Sequence, residues 1–106
     1  MSMPNLSHLQ FAMLDVMGPR EISGRDLRSA LKSEKGVSKS GPAFYQLMAR
    51  LEDANFVNGR YEEKVVEGQR IKERRYLLTA DGESARRQAI LFYTSNLTPD
   101  LRPSDA

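Results

Sequence analysis

The apolar residues of this chain keep a helical spacing up to residue 54, and from Phe56 onward the pattern becomes that of a β-hairpin. That single change of period restricts the fold to helices first and a two-stranded ribbon after them. Within the helical part the chain is punctuated three times. Ser7 with Gln10 three residues on forms a capping box, and Leu6, Leu9, Met13, Val16 and Met17 follow a helical period until Gly18-Pro19 stops it. Glu21-Ile22-Ser23 has room for a bridge of strand only. Ser23 then caps a second helix with Leu27, Ala30 and Leu31 on one face, ended by Gly36.

A short polar linker, Val37-Ser38-Lys39, leads to Ser40 as N-cap of a third helix over 40–54, with Pro42 tolerated in the first turn. Phe44, Leu47, Met48, Leu51 and Ala54 form its apolar stripe. Pro42, Gln46, Ala49 and Asp53 occupy the opposite, solvent side, and Asn55 suits a left-handed C-cap.

The hairpin over 57–78 is expected to turn at Glu67-Gly68-Gln69-Arg70, with Gly68 in a type II′ geometry. Pairing Val66 with Ile71 sets Glu67 opposite Arg70, Lys64 opposite Glu73, Glu63 opposite Arg74, Glu62 opposite Arg75 and Tyr61 opposite Tyr76, so every charged pair is complementary. Thr79 caps a fourth helix over about 80–95. Asn96-Leu97-Thr98-Pro99 opens a stretch without periodicity, so residues 96–106 are expected to form a flexible tail and residues 1–95 one domain.

At 106 residues there is room for one compact domain. The absence of cysteine excludes thiolate nucleophiles, disulfides and cysteine-based metal centres. His8 is the single histidine, so a conventional catalytic triad or a histidine metal site is not available either, and no glycine-rich phosphate loop occurs. The reading is therefore of a non-enzyme with no catalytic residue, metal or cofactor. The longest apolar run, 89–93, cannot span a bilayer, and the chain shows no secretory signal core, which reads as a cytoplasmic protein without a membrane partner. Net charge is only +2, but Arg25, Arg28, Lys32, Lys35, Lys39 and Arg50 stand against Asp26 and Glu34 in the middle of the chain, a local basic patch of the kind that meets nucleic acid.

Helix, bridge, helix, turn, helix, hairpin, helix is an α+β, mainly α order. It reads as a winged helix-turn-helix with a three-helix core, a two-stranded β-hairpin wing and a C-terminal helix. The segment GPAFYQLMARLEDANFV (41–57) resembles the recognition-helix region of PadR-like regulators, and RRYLLTADG (74–82) resembles their third strand and helix entry, in the expected order. Asn55 stands where the family usually has glycine, Gln46 replaces a frequent proline, and the last helix is shorter than in many members. The resemblance covers roughly 6–87 and implies a sequence-specific regulator of double-stranded DNA, acting as a dimeric repressor, with room for a small-molecule effector between subunits. Helix 40–54 then enters the major groove and the wing lies on the backbone or in the minor groove.

In that arrangement Ser38, Lys39 and Ser40 precede the third helix, where free N–H groups and the helix dipole favour a phosphate; Ser40 serves equally as a cap. Gln46 either reads an adenine edge or is a plain surface glutamine. For Tyr45, the resemblance implies a buried ring with its hydroxyl near a phosphate, against simple core packing. Arg50 reaches a phosphate or pairs with Glu52 or Asp53. Arg25 and Arg28 meet flanking backbone or form a solvated face. At the wing, Arg70 and Lys72 are the expected contacts, Lys64 is intermediate, and Arg74 and Arg75 hold the ladder. Residues 89–93 are apolar nearly all round a helix, so Ala89, Ile90, Phe92 and Tyr93 are expected at a homodimer interface, against burial on helix one. A symmetric dimer would read a pseudo-palindromic operator. The competing class is a winged-helix module that binds protein without DNA, distinguished by a weak dependence on salt.

Overall fold

The computed structural model describes residues 7–101, with side chains for 7–94. The helices begin and end where local chemistry directs. α1 (His8–Met17) starts at a complete capping box: the Ser7 hydroxyl accepts from the Gln10 N–H at 3.1 Å, and the Gln10 side chain accepts from the Ser7 N–H at 3.0 Å. α2 (Gly24–Lys35) is capped by Ser23, which accepts from the Asp26 N–H at 3.0 Å. It closes on Gly36 at φ 68°, a left-handed position that glycine adopts freely. α3 (Gly41–Asp53) is capped by Ser40 and carries Pro42 in its first turn, while Asn55 at φ 64° takes the left-handed position just beyond it.

Leu14, Leu27, Leu31, Phe44, Met48 and Leu51 meet in the core between these helices, all fully buried. Ala54, expected on the same stripe, is exposed because α3 has ended at Asp53, and Leu6 lies outside the described residues. β1 (Ile22–Ser23) joins β2 (Val57–Val66) and β3 (Gln69–Leu78) in an antiparallel sheet of order β1-β3-β2. Tyr76 and Val57 bring the root of the hairpin into the same core.

The hairpin register differs from expectation. Val66 pairs with Gln69, and the loop is the two residues Glu67 and Gly68, both at positive φ (51° and 79°); this is a type I′ turn rather than the wider type II′ arrangement. Its twist matches that of the strands. Arg60 therefore lies directly opposite Arg75, and Glu62 opposite Glu73. The slip is two residues, so every side chain keeps its face, and the expected Lys64–Glu73 and Glu62–Arg75 pairs survive as diagonals at 2.9 and 3.2 Å. The like charges are relieved from outside the hairpin, because Glu21 binds both Arg60 (2.5 Å) and Arg75 (2.9 Å).

α4 (Ala80–Leu101) begins at Thr79, whose hydroxyl accepts from the Gly82 N–H at 2.9 Å and donates to the Asn55 carbonyl at 2.5 Å. Asn55 Nδ2 in turn donates to Asp81 at 2.9 Å, so the end of α3 and the start of α4 are stitched together. α4 continues past the expected end near residue 95; loss of apolar periodicity removes a packing face but not the backbone ladder, which extends one bond per residue once nucleated. Of the expected tail, 96–101 lie on this helix and 102–106 lie outside the described residues.

The apolar run on α4 divides between two fates. Ala85 and Ala89 are buried in the core, so Ala89 is not available to a dimer interface as expected; its small side chain is what lets α4 approach α1. Tyr93 also turns inward, its ring 5.0 Å from Phe11 and its hydroxyl hydrogen-bonded to His8 Nδ1. Ile90 and Phe92 are half-buried, and Leu91 is 48% exposed.

Candidate nucleic-acid interface

The turn between α2 and α3 is held by Arg28, whose Nε donates to the Lys39 carbonyl at 2.8 Å. This bond fixes the chain just before Ser40, whose hydroxyl accepts from the Ala43 N–H, and so holds Lys39 beside the first turn of α3. Arg25, Arg28, Lys32 and Lys39, together with Ser29, Ser38 and Tyr45, line a cleft of about 360 Å³ between the two helices. Arg25, Arg28 and Lys32 are spaced i, i+3 and i+7, a single stripe of α2. That spacing was readable in the sequence, but its orientation toward Lys39 was not. Ser29 is the one cleft residue that sequence reasoning did not mention, and Lys32 appeared there only as part of the basic patch.

Tyr45 joins this cleft to the wing. It lines a second depression of about 460 Å³ with Ala49, Tyr61 and Lys72, and a third of about 220 Å³ with Arg25, Lys64, Ile71 and Lys72. The ring stands edge-on to Phe44 at 5.1 Å and lies over Gly24; a Cβ there would sit 2.7 Å from the Tyr45 hydroxyl oxygen. Gly24 thus makes room for Tyr45, which is neither core nor free surface but 41% exposed. Nothing in the sequence signalled that pairing.

At the root of the wing Arg74 pairs with Glu52 of α3 at 2.6 Å, and Gly59 has no side chain because any Cβ would overlap Glu52 and Arg74. The Arg50–Glu52 pair considered from sequence is therefore not formed; Glu52 is committed to Arg74. The Arg74 guanidinium also lies 4.7 Å from the Tyr61 ring centroid and 5.7 Å from that of Tyr76. Burial pushes the Tyr76 hydroxyl up to about 12, so it stays protonated.

Charge is sorted by face. On the side of the sheet carrying Glu21, hydrogen bonds from Arg60 and then Arg75 hold the Glu21 carboxyl down at about 2, and a hydrogen bond from Lys64 lowers Glu73. Among the described residues Arg25, Arg28, Lys32 and Lys39 make no ion pair, nor do Arg50, Arg70 and Lys72. The residues expected from sequence therefore separate into groups. Ser38, Lys39, Tyr45, Lys64 and Lys72 line the clefts that share Tyr45, with Lys64 neutralised by Glu73. Ser40 caps α3, Gln46 and Arg50 are exposed on α3, and Arg70 is exposed next to the turn, opposite Val65. No group of metal-ligating residues occurs among the described residues, and no described helix is long and apolar enough to cross a membrane.

No family model and no curated protein matches the chain by sequence. Solved structures do. RosR of H. salinarum superposes with a TM-score of 0.71 at 18% identity, covering 92% of this chain and 82% of that one. PadR of Bacillus subtilis, in complex with operator DNA, gives 0.64 at 26% identity over 76% of this chain and 45% of its own, so this chain spans less than half of that protein. F93 from STIV, a winged-helix DNA-binding protein, gives 0.60 at 18% identity over 83% and 89%. With the segments 41–57 and 74–82 serving as third helix and as strand-to-helix entry in this structure, the chain has a winged-helix fold similar to that of PadR and RosR.

Proposed function

We propose that this chain is a transcriptional regulator that binds double-stranded DNA sequence-specifically, without enzymatic activity, and acts in the cytoplasm as a dimeric repressor. The observation that carries this reading is the continuous set of unpaired cations (Arg25, Arg28, Lys32, Lys39) at the N-terminal end of α3, while the cations of the opposite sheet face are consumed by Glu21, Glu62 and Glu73. A surface that gathers a cluster of uncompensated cations is matched to a polyanion. Operator-bound PadR, similar in fold, supports a DNA partner for this chain.

In this reading α3 enters the major groove with Gln46 and Arg50 on its outer surface, Lys39 and the α2 stripe meet the phosphates at its N-terminal end, and β2–β3 reach the neighbouring backbone or minor groove. Two copies join through the outer face of α4, at Ile90, Leu91 and Phe92, presenting two α3 helices to a pseudo-palindromic site. An effector would act in the groove between subunits by changing the spacing of those helices.

The test is binding to random-sequence and genomic upstream duplexes across a salt series. Selected palindromic sites are expected, with affinity falling steeply as salt rises. Lys39→Ala and Arg25→Ala are each expected to reduce the slope of log affinity against log salt by about one. Absence of binding to any duplex at low salt would overturn the proposal in favour of a protein partner.

A further inference from the structure

We infer that the face of the wing turned toward α3 makes an apolar contact with the deoxyribose edge of the bound strand through Tyr61 and Val65, an inference that rests on the DNA-binding reading above. Strand alternation and the observed register put Tyr61 opposite Arg74, Glu63 opposite Lys72 and Val65 opposite Arg70, all on one face. That face is α3's, because Arg74 reaches Glu52 and because Tyr61 and Lys72 share the 460 Å³ cleft with Tyr45 and Ala49.

On it the fold leaves two large apolar side chains in water, Tyr61 at 64% and Val65 at 71% exposed. Their cationic neighbours differ in availability. Arg74 is neutralised by Glu52, whereas Lys72 and Arg70 make no ion pair among the described residues, although Glu63 stands across the ladder from Lys72. The face thus sets Tyr61 and Val65, with Glu63 between them, across the ladder from Arg74 and from the two available cations Lys72 and Arg70. A nucleic-acid strand alternates apolar sugar edges with phosphates, and the cleft beside it shares Tyr45 as a wall with the cationic cleft at the N-terminal end of α3. Arg74, 4.7 Å from the Tyr61 centroid, already holds the ring, so little rotamer freedom is lost when a sugar covers it.

Apolar and ionic contacts respond differently to salt, and that difference supplies the test. Affinity for one selected duplex is measured from low to moderate salt for the parent, Tyr61→Ala, Tyr61→Phe, Val65→Ser and Lys72→Ala, each checked for folding by its melting transition. Tyr61→Ala is expected to weaken binding about tenfold with the salt slope unchanged, Val65→Ser several-fold in the same manner, and Tyr61→Phe to bind like the parent. Lys72→Ala is expected to reduce the slope by about one. Should Tyr61→Ala and Val65→Ser bind like the parent while Lys39→Ala weakens binding, the sugar contact is refuted and the DNA-binding reading stands. Should the parent bind no duplex at low salt, that reading fails and takes this inference with it.

Discussion

Gly24→Ala separates stability from function in a way that the position of Tyr45 dictates. A Cβ at residue 24 would lie 2.7 Å from the Tyr45 hydroxyl oxygen, 2.8 Å from its Cε1 and 3.1 Å from its Cζ. Ordinary contact begins near 3.4 Å, so the ring must move outward by about 0.7 Å or more at its tip. It can do so cheaply, since the atoms in the way are the far end of a side chain that is 41% exposed. Gly24 is the first residue of α2, where alanine recovers part of the roughly 0.5–1 kcal/mol that glycine costs in a helix. The two effects nearly cancel, and the melting temperature is expected to change by no more than a few degrees. The phenol, however, leaves its place between the α2 cleft and the wing. If the Tyr45 hydroxyl donates to a phosphate of bound DNA, as the proposed DNA-binding reading has it, losing that hydrogen bond costs about 1.5–3 kcal/mol, or roughly 10- to 150-fold in affinity. Thermal melting and duplex titration on the same samples, with Tyr45→Phe as the hydroxyl-only comparison, check both halves. A Gly24→Ala protein that binds DNA like the parent refutes a phosphate contact by Tyr45, and one that melts far lower refutes the account of the contact.

Other substitutions probe the remaining joints. Gly82→Ala drives a Cβ into the Phe56 carbonyl, which is backbone and cannot step aside, and is expected to cost about 1–3 kcal/mol, read as a lower melting temperature. Leu91→Glu on the exposed face of α4 is expected to convert a dimer into a monomer by sedimentation while leaving helical content unchanged; a dimer that persists rules out this face. Glu21, held at about 2 against an ordinary 4.5, adds stability that is complete above about pH 4.5 and lost as pH falls toward 2. Acid unfolding of Glu21→Gln should therefore show a shallower dependence on pH in that window than the parent.

How much of this was legible beforehand depends on the range of the interaction. Ser7, Ser23, Ser40, Gly36 and Asn55 act on groups within a few residues, and each takes the capping place its local sequence implies. The hairpin register was not legible, because matching opposite charges across the ladder left out Glu21, which enters from β1's side and satisfies Arg60 and Arg75 together. With that outside partner, direct opposition of Arg60 and Arg75 costs little and the tighter Glu67-Gly68 turn prevails. Likewise, an apolar run nearly all round α4 says that both sides are covered but not which by what. Packing on α1 withdraws Ala89 and Tyr93 and leaves Leu91 outside.

The two-residue strand β1 has an effect beyond its size. By pairing Ile22 with Tyr76 and Ser23 with Arg75 it does three things at once. Glu21 is brought onto the wing, where it neutralises Arg60 and Arg75 on the face they share. Ser23 is placed to cap α2, which sets the rotation of that helix and with it the direction of Arg25, Arg28 and Lys32. Gly24 is carried under Tyr45. The sorting of charge between the two sides of the molecule is therefore a result of topology more than of composition, consistent with a net charge of only +2. A chain with the same residues but a detached β1 would keep its basic count and lose the alignment of Arg25, Lys39 and Tyr45. For a surface meeting a regularly spaced row of phosphates, alignment decides affinity more than net charge does.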